Sequence, residues 1–147
     1  MRVAELMKPR VETVSVGESA EVARQRMRQK RIRHLVVTSG RDVVGVVSDR
    51  DLEEAGSLRR VQTVGEVMTS PVVTARPETT LRQAANLLRG RAIGCLPVLE
   101  NGRLVGIVTT TDLLELVGKG AERPVAKSRR FILKGRGPRR KKFSARA

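Results

Sequence analysis

Apolar positions along this chain come in short blocks, and the blocks come twice. "VETV" (Val11 to Val14) is an apolar run of strand length, after which Ser19 opens a helical stretch that puts Ala20, Ala23 and Met27 on one face. "HLVVT" and "VVGVV" flank Ser39-Gly40 and predict a β-hairpin, and a second helix is expected just after Ser48, carrying "DRDLEEA". The same order then returns. Leu81, Ala84 and Leu88 repeat the helical face, "CLPVLE" and "LVGIV" form a second hairpin around Asn101-Gly102, and "TTDLLELV" follows Thr109. The Asn-Gly pair is a strong signal for a tight turn between strands.

The two copies are a tandem repeat without insertion, since 106 − 45, 112 − 51 and 68 − 7 all equal 61. "VAELM" at Val3 to Met7 returns as "VGEVM" at Val64 to Met68. Each repeat therefore reads β-α-β-β-α, a mixed α/β (α+β) pattern. The hairpin strands are rich in Val with little alternation, which implies burial on both faces. One repeat alone is too small to bury a good core. The expected fold is two repeats, 1–58 and 59–118, packed about a pseudo-twofold axis that creates two equivalent clefts, with a basic C-terminal tail at 119–147.

Composition narrows this picture. The chain has 147 residues, 39% of them hydrophobic but only 1% aromatic, and both phenylalanines, Phe131 and Phe143, fall after the second repeat. The folded part must be packed with Val, Leu, Ile, Met and Ala, and it has no aromatic platform for stacking bases. A single cysteine, Cys95, cannot close a disulfide within the chain. No apolar run reaches membrane-helix length and the charged start "MRVAELMKPR" lacks a signal-peptide core, so a soluble, cytoplasmic protein is expected. The net charge of +15 is mostly a property of the tail: from Ala121 onward there are eleven Lys or Arg against one acid, Glu122. Such a block reads as a flexible segment that could engage nucleic acid or an anionic surface.

The duplicated chemistry is Gly-h-h-Ser/Thr-x-x-Asp, where h is apolar: "GVVSDRD" at Gly45 to Asp51 and "GIVTTTD" at Gly106 to Asp112. A hydroxyl followed three residues later by an acid at a helix start is the pattern of a capping box and needs no ligand. The same geometry suits a nucleotide, because helix N-terminal N–H groups attract phosphate and a carboxylate can accept from a ribose diol. Both roles coexist if the hydroxyl caps while the aspartate faces the cleft.

These motifs, with "RIRHLVV" and "IGCLPVLENGRLVGIVTTTDLLEL", resemble the paired cystathionine-β-synthase (CBS) domains, or Bateman module, over residues 1 to about 118. The resemblance implies a non-enzymatic regulatory module that binds adenosine-containing ligands between its repeats, pairs into dimers and controls a partner protein. It implies AMP, ADP or ATP as ligand, with S-adenosylmethionine or a dinucleotide as further candidates. Asp51 and Asp112 match the ribose-binding aspartates. Ser48, Arg50, Thr109 and Thr111 match positions facing phosphate, joined by Arg33 and by His34, a position the family sometimes uses for phosphate. One pocket would combine Thr109, Thr111 and Asp112 with Val11, Ile32 and Arg33. The other would combine Ser48, Arg50 and Asp51 with Val72, Ile93 and Gly94. Gly94 and Cys95 stand where the first repeat has Arg33 and His34, so the clefts should differ in phosphate affinity.

Other readings start from the same residues. Arg33 and Arg50 also read as solvated surface arginines, and His34 as a core-edge histidine. Cys95 with His34 is not a nucleophile and base, because they occupy equivalent positions on different repeats without a third, orienting group. One His and one Cys offer no metal cluster. Beside the ligand sensor, two further classes stay open: a nucleic-acid-binding protein acting through its basic tail, and a ligand-free interaction scaffold whose Ser/Thr-x-x-Asp units only cap helices.

Overall fold

The computed structural model describes residues 1–56 and 62–120. The expected repeat boundary at 58/59 and the expectations for residues 121–147 lie outside the described residues. In chain order the elements are α1 (Val3–Leu6), β1 (Thr13–Ser15), α2 (Ala20–Lys30), β2 (His34–Ser39), β3 (Asp42–Ser48), α3 (Asp49–Ala55), α4 (Val64–Val67), α5 (Leu81–Arg91), β4 (Cys95–Glu100), β5 (Arg103–Thr109) and α6 (Thr110–Gly118). Both sheets lie in one unit, Met1–Leu114.

Local signals set most of these limits. Ser19 caps α2 by accepting from the Val22 N–H at 3.1 Å, and Thr80 caps α5 through the Gln83 N–H at 3.0 Å. Both helices end on a left-handed residue, Arg31 (φ 55°) and Ala92 (φ 53°). The hairpin β4–β5 turns on Asn101 and Gly102, both at positive φ, as a two-residue turn of the I′ kind demands. In the β2–β3 hairpin only Gly40 (φ 62°) is left-handed, so the turn centres on Gly40-Arg41, one residue later than expected.

The first strand of each repeat departs from expectation. β1 starts at Thr13 and pairs in parallel with β2 from Thr13↔Val36 to Ser15↔Thr38. In the second repeat the counterpart shrinks to a single bridge, Ala75 to Val98. The reason is covalent. Val16 donates to the Thr38 carbonyl at 2.9 Å, and the residue 61 positions later is Pro77, which has no N–H to extend the ladder. The β-α-β-β-α pattern is therefore complete in the first repeat, and in the second its first strand is reduced to this bridge.

Two four-residue helices, α1 and α4, were not expected, because one turn is too short to show a period. Each docks on the opposite repeat. Val3 of α1 is fully buried with Ala84, Leu88, Leu96 and Val108, and Val64 of α4 with Ala23, Met27, Leu35 and Val47. Backbone bonds fasten the segment after each helix to the other repeat's hairpin: Lys8 exchanges two with Ile107 (2.9 and 3.0 Å), and Thr69 two with Val46 (2.8 and 3.3 Å). Neither repeat completes its core without the other copy's N-terminal segment.

The sheets are buried on both faces, as the Val-rich strands imply. Leu35 and Val37 point into the first repeat's core, whereas Val36 between them joins Val46, Cys95 and Ile107 in a third cluster between the repeats. Among the described residues no helix is long and apolar enough to cross a membrane.

Candidate functional site

The two Ser/Thr-x-x-Asp units sit where β3 runs into α3 and β5 into α6. In both, the cap is reciprocal. Ser48 Oγ accepts from the Asp51 N–H at 3.1 Å while Asp51 Oδ2 accepts from the Ser48 N–H at 2.9 Å. Thr109 and Asp112 repeat this at 3.1 and 2.9 Å. Each cap uses one carboxylate oxygen and leaves the other. Oδ1 of Asp112 takes the Lys8 ammonium at 2.9 Å, and Asp112 itself is only 3% exposed. Oδ1 of Asp51 has no hydrogen-bond or ion partner among the described residues, and Asp51 lines a cleft. Capping and cleft lining thus coexist at Asp51.

Two clefts flank these units. The α6 cleft, about 400 Å³, has Thr109 and Thr111 on one side and Lys8, Arg10, Ile32 and Arg33 on the other. The α3 cleft, about 530 Å³, has Ser48, Arg50 and Asp51 opposite Ile93 and Gly94, with Thr69 at its side. Arg33, His34 and Thr111 line both clefts, so the wall between them is shared. The opposite docking of α1 and α4 builds this arrangement, because it brings Lys8 to β5 and Thr69 to β3.

Of the residues singled out in the sequence, Ile32, Arg33, Thr109 and Thr111 come together in one cleft, and Ser48, Arg50, Asp51, Ile93 and Gly94 in the other. Asp112 is buried behind its cleft, in contact with the lining residue Lys8. Val11 and Val72 are not in the cleft walls; they pack against the apolar cluster between the repeats. Sequence reasoning missed Lys8, Arg10, Glu12, Arg31, Asp49 and Thr69 as lining residues. The cations of "MKPR" were visible as a signal, but not the fact that this segment crosses to the other repeat.

His34 belongs to the shared wall. A Cβ on Gly94 would meet its Nε2 at 2.5 Å, so the imidazole of one repeat rests on the backbone of the other. Burial lowers the His34 pKa from 6.5, against the opposing pull of the Asp49 and Asp51 carboxylates. Cys95, 1% exposed, has its thiol pushed up to about 12 by burial and by Asp51. Such a thiol stays protonated at neutral pH and is no nucleophile. Among the described residues, no group of three or more His, Cys, Asp or Glu side chains could hold a metal ion. The site offers hydrogen bonding, charge and shape.

Known proteins share this architecture. The CBS domain family model matches residues 3–57 and 64–119. A homoserine O-acetyltransferase of Methanohalobium evestigatum is 33% identical over 117 residues, which are 78% of this chain and 24% of that protein. The chain thus spans about a quarter of the length of that relative. A CBS domain pair solved in complex with 5'-methylthioadenosine and S-adenosyl-L-methionine superposes with a TM-score of 0.75 at 25% identity, covering 82% of this chain and 98% of the other. CBSX2 in complex with AMP superposes with a TM-score of 0.68 at 29% identity, covering 82% and 98%. With both matched segments coinciding with the two halves of the fold, this chain belongs to the CBS domain family, as a tandem pair of its domains.

Proposed function

We propose that this CBS pair is a sensor that binds adenosine-containing ligands in its α3 and α6 clefts and transmits their occupancy to a partner protein, without catalysis of its own. One observation carries the reading: the reciprocal cap spends a single oxygen of Asp51 and leaves the other in a cleft wall, beside Ser48 and Arg50 and opposite Ile93. A cap leaves that second oxygen to water; in the wall of a cleft it is also placed to accept from a ribose diol. In this reading Asp51 holds ribose in the α3 cleft; Asp112, buried behind the α6 cleft with its second oxygen on Lys8, takes the same role only when Lys8 turns away from it. Ser48, Arg50, Thr109, Thr111, Arg33 and His34 hold phosphate. Ile32, Ile93 and Gly94 pack on adenine, with Val11 and Val72 supporting them from the apolar cluster. The ligands of two similar structures, AMP in one and methylthioadenosine with S-adenosylmethionine in the other, support an adenosine ligand. AMP, ADP or ATP is the proposed class for this chain.

The test is thermal shift and calorimetry with AMP, ADP, ATP and S-adenosylmethionine on the full chain. A ligand at 100 times its Kd stabilises the fold by about 2.7 kcal/mol, a readily measured rise in Tm. The absence of any shift at millimolar concentration would end the sensor reading and leave the scaffold.

The signal passes through an assembly in this proposal. Leu114 of α6 is 66% exposed, an apolar side chain that a second copy could cover. Sedimentation should give a dimer mass that Leu114→Arg reduces to a monomer. The eleven basic residues after position 120 supply a second contact of low sequence preference, with nucleic acid or an anionic surface. Its removal should abolish salt-sensitive RNA or DNA binding while nucleotide affinity persists.

A further inference from the structure

We infer that the α6 cleft is the polyphosphate site of this pair and the α3 cleft is not; the assignment rests on the sensor reading above for the nucleoside half of the ligand only.

The repeat gives an internal control, because every lining residue has a counterpart 61 positions away. On the α6 cleft stand Lys8, Arg10, Arg31 and Arg33. Their counterparts in the second repeat are Thr69, Pro71, Ala92 and Gly94, none of them charged. The exchange runs the other way at the helix starts: the α3 cleft has Asp49 and Arg50 where α6 has Thr110 and Thr111. The α6 cleft therefore sets four cations against one lining carboxylate, Glu12. With Asp112 counted against Lys8, to which it is bonded, two positive charges remain in excess. The α3 cleft sets Arg33 and Arg50 against Asp49 and Asp51 and has none.

Three of the four α6 cations are also available. Arg10, Arg31 and Arg33 make no side-chain hydrogen bond or ion pair among the described residues, and all three are exposed. Guanidinium groups bind phosphate oxygens bidentately, and three of them around one cleft match the several charges of a di- or triphosphate. In the α3 cleft the same chain of phosphates would lie beside two carboxylates, and like charges at that range repel. That cleft suits a ligand with one phosphate or none, or one carrying a positive charge.

The experiment is calorimetry on the full chain with ATP, AMP and inorganic tripolyphosphate, at low salt and again at higher salt. The test variant is Arg10→Gln with Arg31→Asn, which changes only residues of the α6 cleft. Asn tolerates the left-handed backbone at position 31. Arg41→Gln with Arg103→Gln is the charge-matched control on exposed hairpin positions outside both clefts, and all variants retain residues 121–147, so the basic tail cannot produce a difference between them. The double variant should weaken ATP and tripolyphosphate by about tenfold or more, in a salt-dependent way, and AMP much less. The Arg41→Gln, Arg103→Gln control should behave as the parent. Parent-like ATP and tripolyphosphate binding in the double variant, or a larger loss of both on Arg50→Gln, would overturn the assignment. The two layers separate cleanly. Tripolyphosphate binding that depends on Arg10 and Arg31, with no nucleotide binding, would sustain the charge assignment and sink the nucleoside reading. Nucleotide binding indifferent to phosphate number and to both arginines would do the reverse.

Discussion

The imidazole of His34, in the first repeat, lies against the backbone of Gly94 in the second, with Nε2 2.5 Å from where a Cβ on Gly94 would stand. The contact sits in the wall shared by the two clefts. Glycine is required there for space, since its φ is not left-handed. Gly94→Ala should destabilise the fold by about 1–3 kcal/mol, because the half-buried ring must move. Adding His34→Ala should return part of that loss, which urea denaturation of the two single variants and the double variant would reveal. Strictly additive losses would mean that the ring is not the obstacle.

Burial of the same imidazole predicts a pH dependence. Its folded pKa is below 6.5, held down by burial and opposed by Asp49 and Asp51. Well above pH 6.5 the folded and unfolded chains both carry it neutral and stability is at its plateau. As pH falls below that value the unfolded chain takes the proton first, so stability declines. Glu18, lowered from 4.5 chiefly by its hydrogen bond to the Ser15 backbone, contributes stability that is lost only at more acid pH. Denaturation midpoints between pH 7 and about 5 should therefore fall in the parent and flatten in His34→Asn. An unchanged slope in the variant would locate the effect elsewhere.

Docking of α1 on the second repeat gives a test of the fold. Val3 is fully buried among Ala84, Leu88, Leu96 and Val108. Val3→Ala should cost about 2 kcal/mol, from lost burial plus the cavity it leaves. A fragment beginning after Met7 should lose much more, because it removes Val3 entirely and also Met7, which packs against the same core. Gly106 tells the same story from the other side: a Cβ there would stand 2.7 Å from Met7 Sδ. A Val3→Ala chain of parental stability would show that α1 is not held as described.

Asp51→Asn separates binding from capping. Asn keeps an oxygen for the Ser48 N–H, so stability should change by less than about 1 kcal/mol. It removes the charge facing the α3 cleft, and adenosine-ligand affinity there should fall by about tenfold. Calorimetry beside thermal denaturation reads both quantities. A stability loss with affinity unchanged would make the aspartate a cap and nothing more.

Much of this was legible along the chain. The offset of 61 gave two copies of one unit, and the periods of Ala20, Ala23 and Met27 and of Leu81, Ala84 and Leu88 gave their helices. The hairpins followed from apolar runs around turn residues, and Ser48-Asp51 and Thr109-Asp112 were identifiable as helix starts. The first strand of the second repeat was expected at full length and is reduced to the Ala75–Val98 bridge, because Pro77 removes the donor that would extend the ladder. Helices α1 and α4 were missed because a single turn has no periodicity to read.

The sequence by itself determined the repeat, the order of its elements and the chemical types available at each helix start, because those depend on near neighbours and on spacing along the chain. Only the tertiary structure decided which residues meet. It carried Lys8 and Arg10 across to the α6 cleft, withdrew Val11 and Val72 into the apolar cluster, and set His34 on Gly94 between the clefts. The physical reason is that each repeat has too little apolar surface to close its own core. Burial of Val3 and Val64 in the opposite copy settles the pairing, and the charge of each cleft follows from that exchange.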